Sequence, residues 1–502
     1  MTQTAPFPRV EAETLDPRRW AALAVLLVGA FLAPLDFFIV NVAMPSITGG
    51  LHASAADAQL VISAYAVVYA VFLITGGRLG DIFGRKSIFL LGLAGFALAS
   101  ALCGLAWSPA ALIAGRLLQA LAAAAMAPQA LSSVHALFPA RERGRALSIY
   151  GVTIGLSSIA GQLLGGALVA ADLGGLGWRL VFLINLPIAA AAFAAAIPLL
   201  RQTHAETRPR LDFVGVVLSA AALTALVLPL IEGRERGWPA WALLLLAAAP
   251  VFAEAFRRWE IALARRGGEP LVAIDAFASP GLLRGLGAIL TLYAMAAFFL
   301  TFSIYLQAGL GRSALQAGLA IVPFSIGFLS GSLASPMIGR RLGIAAPSAG
   351  FVSSATGAVA LAALVSWTPG APPVFALLAP ALLMIGFGMG LSIPTLVRVV
   401  VERVSADRAG LVGGLVNSTL QVSAAIGVAL LGGLFYAALG ARADPPAIAH
   451  AFALTLLGVA ACHAVGGVLA AGLGQRRPAH SAAPAGVALA CRTKADAPAV
   501  RA

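Results

Sequence analysis

The 502-residue chain is 60% hydrophobic and 11% charged, with a formal net charge of +13 and a mean hydropathy of +0.94. So little polar surface cannot cover a soluble globule, whereas repeated apolar stretches of about 20 residues are what membrane-spanning helices need. The positive charge lies almost wholly in short links between apolar runs, so the expected partner is the lipid bilayer and not nucleic acid.

Apolar runs bounded by charge, Gly or Pro predict fourteen helices, at about 20–42, 59–79, 87–107, 110–136, 146–170, 180–200, 212–231, 240–256, 283–307, 316–338, 345–367, 373–396, 409–436 and 449–473. The Lys/Arg distribution tests that count. Alternate links, starting from the N-terminal tail, hold 27 of the 33 Lys and Arg residues. The other links hold Arg179, Arg234, Arg236, Arg312 and Arg442, and Arg116 falls inside a span. By the positive-inside rule both termini and the basic links are expected on the cytoplasmic side of the cell inner membrane.

The organisation expected is an all-α polytopic membrane protein. A tail, 1–19, precedes a six-helix half, 20–200; two extra helices lie in a linker, 201–260; a second six-helix half covers 261–475. The Ala- and Pro-rich tail 476–502 is expected to be disordered. Met1–Trp20 has no signal-peptide layout, so the first helix is expected to remain in the mature protein. Cys103, Cys462 and Cys491 show no paired spacing, which supports neither a disulfide framework nor a metal site.

Helix 1 carries Leu35-Asp36-Phe37-Phe38-Ile39-Val40-Asn41-Val42-Ala43-Met44-Pro45. Asp36 is the one acidic residue well within a predicted span; Glu254 lies near the end of helix 8. An Asp at a span centre costs about 2.5 to 3.5 kcal/mol, so a functional role is the default reading, reversible protonation above all. Asn41 lies 140° round the helix from it and is assigned to packing.

The link after helix 2, Gly77-Arg78-Leu79-Gly80-Asp81-Ile82-Phe83-Gly84-Arg85-Lys86, sets spaced glycines around a central acid. An ordinary basic loop is the plain alternative. Arg116 in helix 4, with Gln119 three residues on, needs acceptors inside the bundle unless it snorkels to an interface. In helix 5, Gly151, Gly155, Ser158, Gln162, Gly165 and Gly166 share one face, with Gly161 at its edge, so another backbone packs closely there. Close packing alone would explain that stripe in any bundle.

Taken together, these stretches resemble the fourteen-helix drug:proton antiporter branch of the major facilitator superfamily. Residues 77–86 are similar to its signature loop, with Ile82 where Arg is usual. Helix 4 is similar to its Arg-x-x-Gln-Gly pattern, with Ala120 for Gly, and Gly161-Gln162-Leu163-Leu164-Gly165-Gly166 to its antiporter motif, with Gln162 for Pro. Trp178 to Pro187 resembles the family's helix 6 sequence, although interfacial anchoring by Trp178 and Arg179 explains it equally. Likeness continues at 211–215, 305–318 and 417–421, and Phe38 replaces Thr in the helix 1 pattern.

The resemblance implies a major facilitator fold with two pseudo-symmetric halves and no enzyme activity. Asp36 and Arg116 are then the proton-coupling residues, and Gly77, Asp81, Gly84 and Arg85 the conformational-switch loop. Gly161, Gln162, Gly165 and Gly166 form the antiporter-type motif. Candidates for the substrate cavity are Tyr65, Tyr69, Gln162, Asn417 and Gln421, although Tyr65 and Tyr69 serve core packing equally well. His135 and His463 are read as polar contacts rather than ligands. No cofactor is expected beyond the proton-motive force, and the chain is expected to act as a monomer.

The function implied is proton-coupled export of small lipophilic compounds. Proton-coupled import of a metabolite and dedicated export of an endogenous natural product are the alternatives. A single buried acid modestly favours lipophilic cations, and neutral compounds also fit.

Overall fold

The computed structural model describes residues 16–204, 210–272, 280–367, 375–401, 409–440, 442 and 444–475, and every regular element among them is helical. The tail 476–502 lies outside the described residues. Thirteen stretches are long and apolar enough to cross a membrane. One of them, Ala314–Trp367, holds two helices parted by a turn at Gly343, whose φ of +55° suits glycine. Among the described residues the candidate spans are therefore fourteen.

We number them α1 (Arg19–Leu51), α2 (Ala55–Phe83), α3 (Arg85–Gly104), α4 (Pro109–Leu137), α5 (Ala140–Ala171), α6 (Gly177–Leu199) and α7 (Phe213–Glu235). The others are α8 (Ala240–Arg265), α9 (Gly281–Gly309), α10 (314–342), α11 (Ala346–Trp367), α12 (Phe375–Val401), α13 (409–439) and α14 (Pro445–Ala471). Several overrun the apolar runs that predicted them. The 33 residues of α1 rise about 50 Å against a hydrocarbon core of about 30 Å, so its ends project beyond the apolar zone that sequence detects.

Polar caps set several starts. Ser54 and Asp57 form a reciprocal capping box at α2, and Ser313 and Gln316 do the same at α10. Asp212 caps α7 by accepting the Gly215 N–H at 2.9 Å.

Packing repeats between the halves. In the first, α1 lies on α5, α4 on both α2 and α3, and α3 on α6; in the second, α9 lies on α13, α12 on both α10 and α11, and α11 on α14. The halves meet through α2 on α13 and α5 on α10. The hairpin α7–α8 packs on α2 and touches α13.

One face of the molecule carries the basic links, and the halves close at the opposite face. There a Cβ on Gly166 would strike the backbone of Ala314 and Leu315, and one on Gly318 would lie 2.6 Å from the Gln162 carbonyl oxygen. The Gln307 amide donates to the Val42 carbonyl at 2.9 Å. Towards the basic face the same side of α5 opens: Gly151 is exposed and a Cβ there would meet nothing within 4 Å.

Burial of acids is wider than the spans suggested. At the root of the hairpin Asp212 accepts the Trp259 indole N–H at 2.8 Å, and the fully buried Glu260 accepts the Val272 N–H at 2.9 Å. Glu254 instead pairs with Arg257 and Arg258, both at 2.7 Å, on the surface. The sequence could not rank these carboxylates, because tertiary packing buries the hairpin root.

Replacing Gly318 with Val forces α10 away from the Gln162 carbonyl. The distance between spin labels at Leu164 and Leu319 is expected to lengthen and broaden, with the chain still folded. A wild-type distance distribution in the variant would refute the backbone contact as the closing constraint.

Candidate functional site

Asp36 is buried without exposed surface, and so is Arg116. The guanidinium Nη1 donates to Asp36 Oδ2, and the two form an ion pair. Asp36 Oδ1 accepts from Gln119 Nε2 at 2.7 Å and from Asn185 Nδ2 at 3.1 Å. Arg116 also donates to the Val61 carbonyl at 3.0 Å and to Gln119 Oε1 at 2.8 Å. Ser100 Oγ accepts from Gln119 at 2.8 Å and from Asn185 at 3.3 Å. Five side chains from α1, α3, α4 and α6 thus share one buried network, and the snorkelling alternative for Arg116 is excluded.

The network needs these helices close together. Gly161 and Gly165 bring α5 onto α1 there: a Cβ on either would stand 2.8 Å from the carbonyl oxygen of Leu35 or Ile39 respectively. Arg179 donates to the Ala106 carbonyl at 3.0 Å, which fixes the start of α6, and so Asn185, against α3. Its guanidinium also lies 4.5 Å from the Trp178 ring centroid.

Between the network and the molecular axis stands Tyr65, whose ring centroid lies 4.2 Å from the Arg116 guanidinium carbon. Its other side faces a cavity of about 180 Å³ between the halves. Phe37, Phe38, Tyr65, Tyr69 and Tyr150 form one wall. Tyr293, Phe299, Phe324 and Phe328 form the other, where α9 tightens into a short 3₁₀ turn over Tyr293–Met295. Asn417 and Gln421, four residues apart on α13, also line it, as does Ser158 of α5.

Gln162 does not line this cavity, a correction to the sequence expectation. It is 5% exposed, between α5 and α10, where its backbone meets Gly318 and its Nε2 has no partner. The glycine stripe divides: Gly161 and Gly165 serve α1, whereas Gly166 serves α10. A helical-wheel argument sees one face and cannot tell two neighbours apart.

In the loop after α2, Asp81 pairs with Arg85 at 3.0 Å, and Arg85 also donates to the Ser132 carbonyl at 2.9 Å. Both partners belong to the first half. Gly84 has a φ of +96°, the left-handed region that favours glycine. Gly77 is not tight, since a Cβ there would sit 3.7 Å from Pro128; the close approaches are Gly76 on Ala124 and Gly80 on Gln129. Arg78 reaches outside the loop, donating to the Glu269 carbonyl at 2.9 Å and to the Arg210 carbonyl at 3.2 Å.

Among residues without an assigned role, Asn185 and Ser100 join the Asp36 network. The motif around Asn185 was visible, but its hydrogen-bond target was not; Ser100 gave no signal at all. Asn41 donates to the Phe37 carbonyl at 2.7 Å, a local packing role. His463 is buried against the Leu292 carbonyl at 3.1 Å, a polar contact; the His135 side chain lies outside the described residues. Among the described residues, no cluster of His, Cys, Asp or Glu suits a metal.

The model of the Major Facilitator Superfamily matches residues 26–428. A probable actinorhodin transporter of Streptomyces coelicolor is 37% identical over 428 residues, covering 85% of this chain and 74% of that protein. A tetracenomycin C resistance and export protein of Streptomyces glaucescens is 34% identical, covering 86% and 78%. The multidrug resistance protein Stp of Mycobacterium tuberculosis is 30% identical, covering 83% and 76%. Among solved structures, an inward-facing, unoccupied bacterial homologue of the human lysosomal transporter Spinster superposes with a TM-score of 0.64 at 18% identity, covering 91% of this chain and 96% of that one. A helical chain with two packed repeats, a central cavity and these relatives belongs to the Major Facilitator Superfamily, in the branch of antibiotic exporters and multidrug resistance proteins.

Proposed function

We propose that this chain is a proton-driven exporter of small lipophilic compounds, working as a monomer in the cytoplasmic membrane with its basic face inward. The observation that carries the coupling is the eight-residue segment from Leu35 to Val42 in α1. It holds the ionisable Asp36, receives the close contacts of Gly161 and Gly165, and ends on the carbonyl that Gln307 of the other half engages. A change of charge at Asp36 therefore acts on the helix that closes the halves.

With Asp36 ionised, Arg116, Gln119 and Asn185 hold α1 against α4 and α6, and the cavity is accessible towards the basic, cytoplasmic face. Substrate enters there. In the opposite state a proton reaches Asp36 from outside, the ion pair to Arg116 is lost, and the compound is released. Return to the first state delivers the proton inward. A pH unit supplies about 1.4 kcal/mol and each 100 mV about 2.3 kcal/mol per charge moved, enough for uphill export.

A second reading, dedicated export of one endogenous natural product, is supported by relatives named for single antibiotics. A susceptibility profile of an efflux-deficient host distinguishes it, because a dedicated exporter protects against one compound class alone. Import by the same fold predicts the opposite direction of flux in everted vesicles.

Two measurements test the coupling. Asp36→Asn is expected to abolish pH-driven export in proteoliposomes while downhill exchange persists; full drive in the variant would sink the proposal. Asp36→Asn or Arg116→Gln alone strands a buried partner, at a cost of about 3 to 5 kcal/mol. The double variant Asp36→Asn with Arg116→Gln is expected to regain most of the lost thermal stability without regaining drive, as read from melting temperature and flux on the same preparations. A double variant that is no more stable than either single one would show that the pair is not coupled.

A further inference from the structure

Two carboxylates at the root of the α7–α8 hairpin play no part in the coupling scheme. Asp212 is 6% exposed and Glu260 is fully buried. Each has one satisfied oxygen. Asp212 Oδ1 accepts the Gly215 N–H at 2.9 Å and the Trp259 indole N–H at 2.8 Å, and Glu260 Oε2 accepts the Val272 N–H at 2.9 Å. Their second oxygens, Asp212 Oδ2 and Glu260 Oε1, receive no donor. These two oxygens converge. A Cβ built on Gly215 would strike both at once, and the two side chains lie within hydrogen-bonding reach of each other.

The surrounding charges do not supply the missing donor. Beyond the pair, the charged residues at the root are Arg78 at the end of α2, and Arg210 and Glu269 in the flanking links. Arg78 donates to the carbonyls of Arg210, Glu269 and Pro270 and not to either carboxylate. On α8, Arg257 and Arg258 turn to Glu254. Two ionised carboxylates in this arrangement would repel each other, and each would strand an acceptor away from water. A single proton between them removes one charge and turns two orphan acceptors into one hydrogen bond.

We propose that Asp212 and Glu260 bind one proton between Oδ2 and Oε1, a proton site at the basic face separate from Asp36, and that this proton holds the hairpin root on α2. Val272, which Glu260 fixes through its N–H, packs with Val71 of α2 and Val216 of α7. The same link offers Arg78 the carbonyls of Glu269 and Pro270. Loss of the proton drives the carboxylates apart and releases this link from the end of α2. The docked root binds one proton more than the undocked root, so docking is favoured in acid and weakens as the pH rises. The inference is independent of the export reading and of the role given to Asp36.

Two measurements on the full chain in lipid nanodiscs test it. The first is the infrared band of protonated carboxyl groups, read in the Asp36→Asn, Arg116→Gln background so that Asp36 cannot contribute. At a pH of about 7, where solvated carboxyl groups with a pKa of about 4 are ionised, the band is expected to be present. Adding Glu260→Gln is expected to remove it.

The second is hydrogen exchange at the Val272 amide, corrected for the intrinsic rate. Wild-type protection is expected to fall as the pH rises, by up to about tenfold per unit, the slope for one proton. Glu260→Gln and Asp212→Asn each place an amide N–H where the proton sits, and both are expected to keep Val272 protected in alkali. A gain of protection is a result that a misfolded variant cannot give. No carboxyl band at neutral pH, a band that survives Glu260→Gln, or wild-type protection indifferent to pH overturns the proposal. Protection that follows sodium concentration instead of pH also overturns it, by placing a metal cation between the two oxygens.

Discussion

Burying a charge in hydrocarbon is the constraint on which the first half of this molecule depends. Asp36 and Arg116 lie where neither can reach water, so each must be neutralised and hydrogen-bonded by protein. The fold meets that demand with four helices: α1 and α4 bring the charged groups, and α3 and α6 bring Ser100 and Asn185, with Gln119 bridging them. A shift in any of these helices breaks a hydrogen bond in low dielectric, where an unmade bond is expensive. The network thus makes one arrangement of the four helices much better than its neighbours.

Closure between the halves is built from different material. At the face opposite the basic links the contacts are backbone on backbone, made possible by Gly166 and Gly318, with the Gln307 amide on the Val42 carbonyl. Such contacts carry little desolvation cost when they part, because few polar side chains are stranded. A tight, charged core and a smooth, weakly polar closure suit a protein whose halves move as bodies while their interiors stay fixed.

The two inserted helices bear on the same movement. At one end the hairpin's Glu235 accepts the Ala56 N–H at the start of α2, at 2.6 Å. At the other, Arg78 from the end of α2 holds the carbonyls of Arg210 and Glu269 in the links that flank the hairpin, close to buried Asp212 and Glu260. The hairpin is therefore fastened to both ends of α2, one of the helices of the first half that meet the second.

The sequence by itself determined the class, the number of spans and their alternation, because hydropathy and the placement of Lys and Arg follow from the solvent on each side and need no knowledge of neighbours. It also marked Asp36 and Arg116 as residues requiring explanation, since a charge in an apolar run is costly wherever the run packs. Only the tertiary structure decided that these two explain each other, eighty residues apart, and that Asn185 and Ser100 complete their shell. It alone split the glycine stripe of α5 between two neighbours, took Gln162 out of the cavity, and buried Glu260 in place of Glu254. Those outcomes turn on which helix faces which, and one helix's periodicity defines a face without naming what will lie against it.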